Sequence, residues 1–277
     1  ARALADPALL ARVLVAQASQ IGGLGRWADA ERLAREAELT ARQAGLARMV
    51  AGALNVVGTA RREQGDLAGA RSAHTAELEA ATEGAEEAAA ATARTNLGNV
   101  AIAEQRFDEA LEWYGPAEQT FRRLDVPAQL LPLLANRGQV HQMLGRHAEA
   151  VADLTDAAEA ASRTGAHAAV RQWAEPALGL AYQIGDIARA ETLWALLASA
   201  ARATGDDAML QKALGDGALL LINRAQPVGV AGDPSNVDQS LLARATTMLA
   251  EQEQICRRTD DAVGLAACVG NQAIVLR

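Results

Sequence analysis

The chain has 277 residues, a formal net charge of −8, and 50% hydrophobic residues, while aromatics make up only 3%. Binding nucleic acid needs concentrated Lys and Arg to displace counterions, so an acidic chain whose only lysine is Lys212 argues against that partner. No apolar run reaches the ~18 residues needed to span a bilayer, so no membrane segment is expected.

Alanine dominates, and Ala is both the strongest helix former and a small packing residue, so the fold class is all-α. β-branched residues are too scattered to give alternating strands. The organising feature is a short turn, Gly25-Arg26-Trp27-Ala28-Asp29-Ala30, which returns at Gly65 to Ala70, Gln105 to Ala110, Gly145 to Ala150 and Gly185 to Ala190. The spacing is 40 residues each time, the mark of a repeat architecture. Each repeat reads as helix A, a tight turn, helix B and a short link. Gly at 25, 65, 145 and 185 suits the left-handed residue that ends a helix. Gln105 lacks that freedom, so a slightly different turn is expected there. Two residues on, Trp27, Leu67, Phe107, His147 and Ile187 are placed to pack across the turn.

Twelve residues before each turn alanine comes a second small position, namely Ala18, Gly58, Gly98, Gly138, then Leu178 with Gly179 beside it. Glycine costs roughly 1 kcal/mol in mid-helix, so three in register predict that another helix passes close by. Helix B ends at Gly45, Asp125, Gly165 and Gly205, with Gly84 one residue early, and the short links stack one repeat on the next. Pro116 in the third helix B and Pro176 in the fifth helix A each remove a backbone donor and predict a kink. In the sixth repeat the turn alanine reappears at Ala245, 55 residues after Ala190, so about 15 residues are inserted as a Pro/Gly-rich loop at 226–240. Helix B of that repeat ends at Thr259-Asp260, and Val269 to Leu276 form helix A of a seventh.

Leu97-Gly98-Asn99 followed by Phe107-Asp108-Glu109-Ala110-Leu111-Glu112-Trp113-Tyr114 resembles the tetratricopeptide repeat (TPR) signature. The 40-residue period, longer than the family's usual 34, resembles the arrays of kinesin light chains, Pins-type adaptors and bacterial regulators. The resemblance implies a right-handed superhelical solenoid of about six and a half repeats, with A helices lining its concave surface. The repeats fall at about 7–45, 46–86, 87–126, 127–166, 167–206 and 207–261, with 262–277 partial, as one domain over 1–277. The missing initiator Met points to a piece of a larger protein.

No metal-ligand, phosphate-loop or nucleophile motif is present, so no catalytic residue, cofactor or metal site is expected. Cys256 and Cys268 form no disulfide framework, and a reduced cytoplasmic compartment follows. His147 reads as a packing residue, while His141 lies on helix A of the fourth repeat. Residues at −6, −3, +1, +4 and +5 from the small position are predicted to face the groove. Among them Asn55, Thr59, Arg62, Asn99, Gln139, Gln142, Tyr182 and Gln183 are the binding candidates, because amides both donate and accept and so suit a peptide backbone. The expected function is a non-enzymatic module that binds a peptide or protein segment. The alternative is a ligand-sensing or autoinhibitory domain of a larger bacterial signalling protein, beside a nucleotide-binding switch, a DNA-binding domain or a caspase-like protease. Other domains of the same full-length protein are then its partners.

Overall fold

A computed structural model describes residues 6–225 and 237–275, so the loop expected at 226–240 lies outside the described residues as far as residue 236. Among the described residues there are thirteen α-helices and no strand. They are α1 (Pro7–Gly23), α2 (Trp27–Gln43), α3 (Ala47–Glu63), α4 (Leu67–Glu83), α5 (Glu87–Ala103), α6 (Phe107–Arg123) and α7 (Pro127–Met143). There follow α8 (His147–Arg163), α9 (His167–Ile184), α10 (Ile187–Thr204), α11 (Asp207–Ala225), α12 (Gln239–Thr259) and α13 (Ala262–Val275). The chain is an all-α array of helix-turn-helix repeats, as expected.

The backbone keeps a finer ruler than the sequence pattern does. A residue with left-handed φ, between 51° and 83°, stands at 25, 45, 65, 85, 105, 125, 145, 165, 185 and 205. Turn and link are therefore the same structure. From 25 to 185 the left-handed residue donates to the carbonyl three back, and at all ten positions the next residue donates to the carbonyl five back; Gly205 N donates instead to Ala201 O, four back. At Gly65 these bonds are Gly65 N to Arg62 O at 3.0 Å and Asp66 N to Arg61 O at 2.9 Å. This is the Schellman ending, which satisfies the last carbonyls of a helix. Gln105 makes the same pair of bonds, to Ile102 at 2.9 Å and from Arg106 to Ala101 at 2.8 Å. The different turn expected at Gln105 is thus corrected. Likewise Ala85, not Gly84, takes the left-handed role in the second link, and Gly84 keeps a negative φ of −78°. Asp260 ends α12 with φ 56° and donates to Cys256 O, four back, as Gly205 does to Ala201 O, in line with the expected match between them.

The turn alanines 30, 70, 110, 150, 190 and 245 are all fully buried. Trp27 closes over its turn, since a Cβ on Gly22 would lie 2.8 Å from its ring. At the small position of helix A it is a side chain of the packed neighbouring helix that comes close. A Cβ on Gly58 would meet the His74 ring at 2.5 Å, and one on Gly98 would meet the Tyr114 ring at 2.6 Å. A large side chain of the following helix B lies across each glycine. A Cβ on Gly179 would meet no neighbouring heavy atom within 4 Å, so its absent side chain seats nothing. The helices that hold Pro116, Pro132 and Pro176 run on through them without ending.

Contacts divide the chain into two compact units, Ala1–Val140 and His141–Arg277. In the first, each helix from α1 to α6 packs on its neighbour, and α3 also touches α1 and α5. Its core is largely alanine, with Ala11, Ala41, Ala51 and Ala81 packed around Val50 and Leu54. In the second, α8 to α13 pack in sequence, α10 touching α8 and α13 touching α11. Larger side chains fill that core, Leu193, Leu214, Leu221 and Leu249 among them.

Two expectations follow. Left-handed backbone costs an L residue roughly 1–2 kcal/mol, partly offset by the unfolded-state freedom of glycine. Gln105→Gly therefore raises stability by about 1 kcal/mol and Gly65→Ala lowers it by a similar amount, read from urea midpoints; equal midpoints would contradict the shared turn. Gly98→Ala lowers stability by about 1–3 kcal/mol through overpacking against Tyr114. Gly179→Ala, in open space, gains up to ~1 kcal/mol of helix propensity in the same measurement.

Candidate functional site

The predicted groove residues fall in both units, and the geometry of each unit stands by itself. In the first, Asn55, Thr59 and Arg62 lie along α3, Asn99 on α5 and Gln139 on α7. Asn55 and Asn99 are half-buried and held by partners, whereas Gln139 is exposed. The Asn55 amide nitrogen donates to Glu77 Oε1 at 2.9 Å, and Glu77 Oε2 lies 2.7 Å from His74 Nδ1. His74 and Glu77 are both buried, as polar groups are when they satisfy one another. Asn99 Oδ1 accepts from the Tyr114 hydroxyl at 2.6 Å and from the Asn136 amide at 2.8 Å. Burial pushes the Tyr114 phenol well above its ordinary value, so it stays a donor. Arg62 pairs with Glu63 at 2.8 Å.

These bonds orient the two amides oppositely. Asn99 uses its oxygen twice, and no partner within the described residues takes its amide hydrogens. Asn55 uses its nitrogen and leaves its oxygen as an acceptor. Sequence reading missed His74, Glu77, Tyr114 and Asn136. The first and third were signalled by their place sixteen residues after Gly58 and Gly98.

In the second unit, Gln142 lies near the end of α7, and Tyr182 and Gln183 near the end of α9; all three are exposed. Tyr182, 40% exposed, lines two cavities. A cavity of about 210 Å³ is walled by Glu175, Leu178, Gly179 and Tyr182 of α9, by Leu197 of α10, and by Met209, Lys212 and Asp216 of α11. A second, more open cavity of about 550 Å³ shares Tyr182 and Asp216 and adds Ile187, Leu219, Leu220 and Asn223. Tyr182 and Asp216 thus stand between two adjoining depressions. Glu175 is paired with Arg171 at 3.2 Å. Asp216 makes no hydrogen bond or ion pair within 4 Å among the described residues. Local desolvation raises its carboxyl above the usual range, and the attraction of Lys212 only partly opposes this. The Tyr182 phenol is raised too, by burial and then by the Asp216 charge.

Not every expected lining position faces outward. Thr95, Ala135 and Ile222 are buried, and the Thr95 hydroxyl donates to Ala91 O at 3.0 Å. His141 Nε2 lies 3.7 Å from the buried Asp153 carboxylate. Among the described residues no cluster of His, Cys, Asp or Glu could hold a metal, and no helix is long and apolar enough to cross a membrane.

The tetratricopeptide repeat family model matches residues 89–163, which span α5 to α8. No curated protein sequence matches the chain. Solved structures share the fold. The crystal structure of aspartyl phosphate phosphatase F from Bacillus subtilis aligns with a TM-score of 0.57 at 12% identity, covering 92% of this chain and 61% of that one. The apo quorum sensor NprR from B. thuringiensis aligns at 0.53 and 15%, covering 98% and 78%. A signal transduction ATPase with numerous domains, bearing a tetratricopeptide repeat sensor, from Pyrococcus horikoshii aligns at 0.52 and 16%, covering 97% and 40%. This chain thus spans less than two thirds of the phosphatase and of the ATPase. Residues 89–163 match the tetratricopeptide repeat, and the chain shares the helix-turn-helix fold of these structures.

The Asp216 geometry has a consequence for stability. A carboxyl raised by folding favours the folded state at low pH, and that contribution is lost as pH rises through the folded value. Asp216→Asn therefore makes the chain more stable at pH 7. The difference between the two proteins shrinks as pH falls below the ordinary aspartate range, measured by urea unfolding across pH. A destabilised variant at pH 7 would contradict the reading.

Proposed function

We propose, from the tetratricopeptide-repeat fold as premise, that this chain is a non-enzymatic recognition module that binds an extended peptide or protein segment along its A-helix faces. The observation that carries the reading is Tyr182, an exposed aromatic between two adjoining cavities on α9 and α11. An aromatic ring supplies contact area at low entropic cost, and concave apolar sites with a few polar groups are where ligands bind. The held amides of the first unit support it further. Asn99 presents donors and Asn55 an acceptor, the complement of a peptide's carbonyl and N–H. Thr59, Arg62, Gln139, Gln142 and Gln183 complete the proposed contacts. The acidic balance and the lack of a bilayer-length apolar helix among the described residues fit a cytoplasmic protein partner, with neither nucleic acid nor membrane involved.

A second reading has support of its own. Two of the similar structures are described as sensors, and in one of them the aligned part is 40% of the whole. On that reading the chain is the sensing or autoinhibitory part of a longer regulator, and its bound segment belongs to another domain. Both readings place the contact on the same helix faces.

Selection of random hexapeptides on the immobilised chain tests the function. Binders are expected, and Tyr182→Ala lowers their affinity at least tenfold, while Glu159→Ala on the exposed face of α8 leaves it unchanged. Binders insensitive to Tyr182 and sensitive to Glu159 would contradict the site.

A further inference from the structure

The cavity between α9 and α11 carries an unusual charge arrangement. Its walls are apolar where Leu178 and Met209 stand, and its rim holds Glu175, Lys212 and Asp216. Glu175 is already engaged by Arg171. Asp216 is not engaged, although Lys212 lies only one helical turn before it. Lys212 is exposed and makes no ion pair within 4 Å among the described residues, so it leaves the Asp216 charge largely uncompensated. Asp216 is itself exposed on that rim, so its carboxylate is open to a ligand arriving from solvent.

We propose that this cavity is a specificity pocket for the arginine or lysine side chain of a bound peptide, an inference that rests on the peptide-binding reading above. Long cationic side chains bury their methylene stems on apolar surface and keep the charged head at a polar rim. Here the stem lies along Leu178 and Met209, and the head reaches the Asp216 carboxylate beside the Tyr182 ring. The ring face adds cation–π attraction, and a partly desolvated site strengthens both contacts.

The adjoining cavity sets the neighbouring preference. Leu219 is 40% exposed there, with Ile187 and Leu220 beside it and no uncompensated charge other than Asp216. Arg224 at its edge is paired with Glu191. An aliphatic side chain next to the basic one fits this wall. From Met209 to Arg224 the helix rises about 22 Å, which an extended segment of roughly six or seven residues covers.

The test uses hexapeptides selected on the full chain. An arginine or lysine is expected at one fixed position of the enriched sequences. Replacing that residue by citrulline, which keeps the shape and removes the charge, weakens binding about tenfold to the natural chain and less than twofold to Asp216→Asn, so the two changes couple. Equal loss on both proteins would place the cation elsewhere and overturn the pocket. Tyr182-dependent binders with no basic residue would overturn it while leaving peptide binding intact. Failure to select any binder would remove both.

Discussion

The whole arrangement depends on one backbone constraint, a residue of left-handed φ at every twentieth position from 25 to 205. Nine of the ten end a helix by the same two hydrogen bonds, Gly205 reaching one carbonyl further back, and the chain reverses within two or three residues. Because the helices between are nearly equal in length, residues forty apart recur on the same face. The side chains then need only small choices to distinguish helix A from helix B. An alanine goes at the buried start of B, and a residue that leaves room for a B side chain goes in the middle of A. Glycine fills most of the turns at no steric penalty, while Ala85, Gln105 and Asp125 hold the same geometry under strain.

Within that frame, polar groups are spent in two ways. In the first unit they are satisfied internally. Glu77 joins His74 to Asn55, and Asn99 joins Tyr114 to Asn136, so that two amides are fixed in direction before any ligand arrives. Fixed amides lose less entropy on binding than free ones. In the second unit Asp216 and Lys212, exposed beside Tyr182, have no ion-pair partner within 4 Å among the described residues, while Glu175 is paired with Arg171. One unit thus holds amides fixed by internal hydrogen bonds, and the other a cavity rim with an unpaired carboxylate.

Most of this fold was legible because the turn chemistry is explicit: glycine, then a hydrophobe two residues on, then alanine. The 20-residue backbone period was hidden because links and turns carry different side chains. At Ala85 and Gln105 tertiary packing enforces a conformation that the residue itself disfavours. The glycines of helix A were visible, but what lies across them was not, since His74 and Tyr114 sit sixteen residues away on another helix. Groove positions could be counted from the register, yet counting does not reveal burial. Thr95, Ala135 and Ile222 are turned inward by neighbouring helices, and Asn55 and Asn99 have partners that no spacing announces. Asp216 stood outside the counted positions altogether. Its importance comes from what it lacks, an ion-pair partner, and that emerges only when α9 and α11 are side by side.

The functional account reduces to one spatial claim, that recognition occurs on the A-helix faces the turns create. It is tested most directly by mapping backbone amide NMR shifts of the chain while a selected hexapeptide is added. The account predicts that Gly179, Tyr182, Asp216 and Leu219 move together and saturate at one affinity, while exposed positions of α8 such as Glu159 stay still. Shifts concentrated on α8 and α10, with α9 and α11 unmoved, would contradict it.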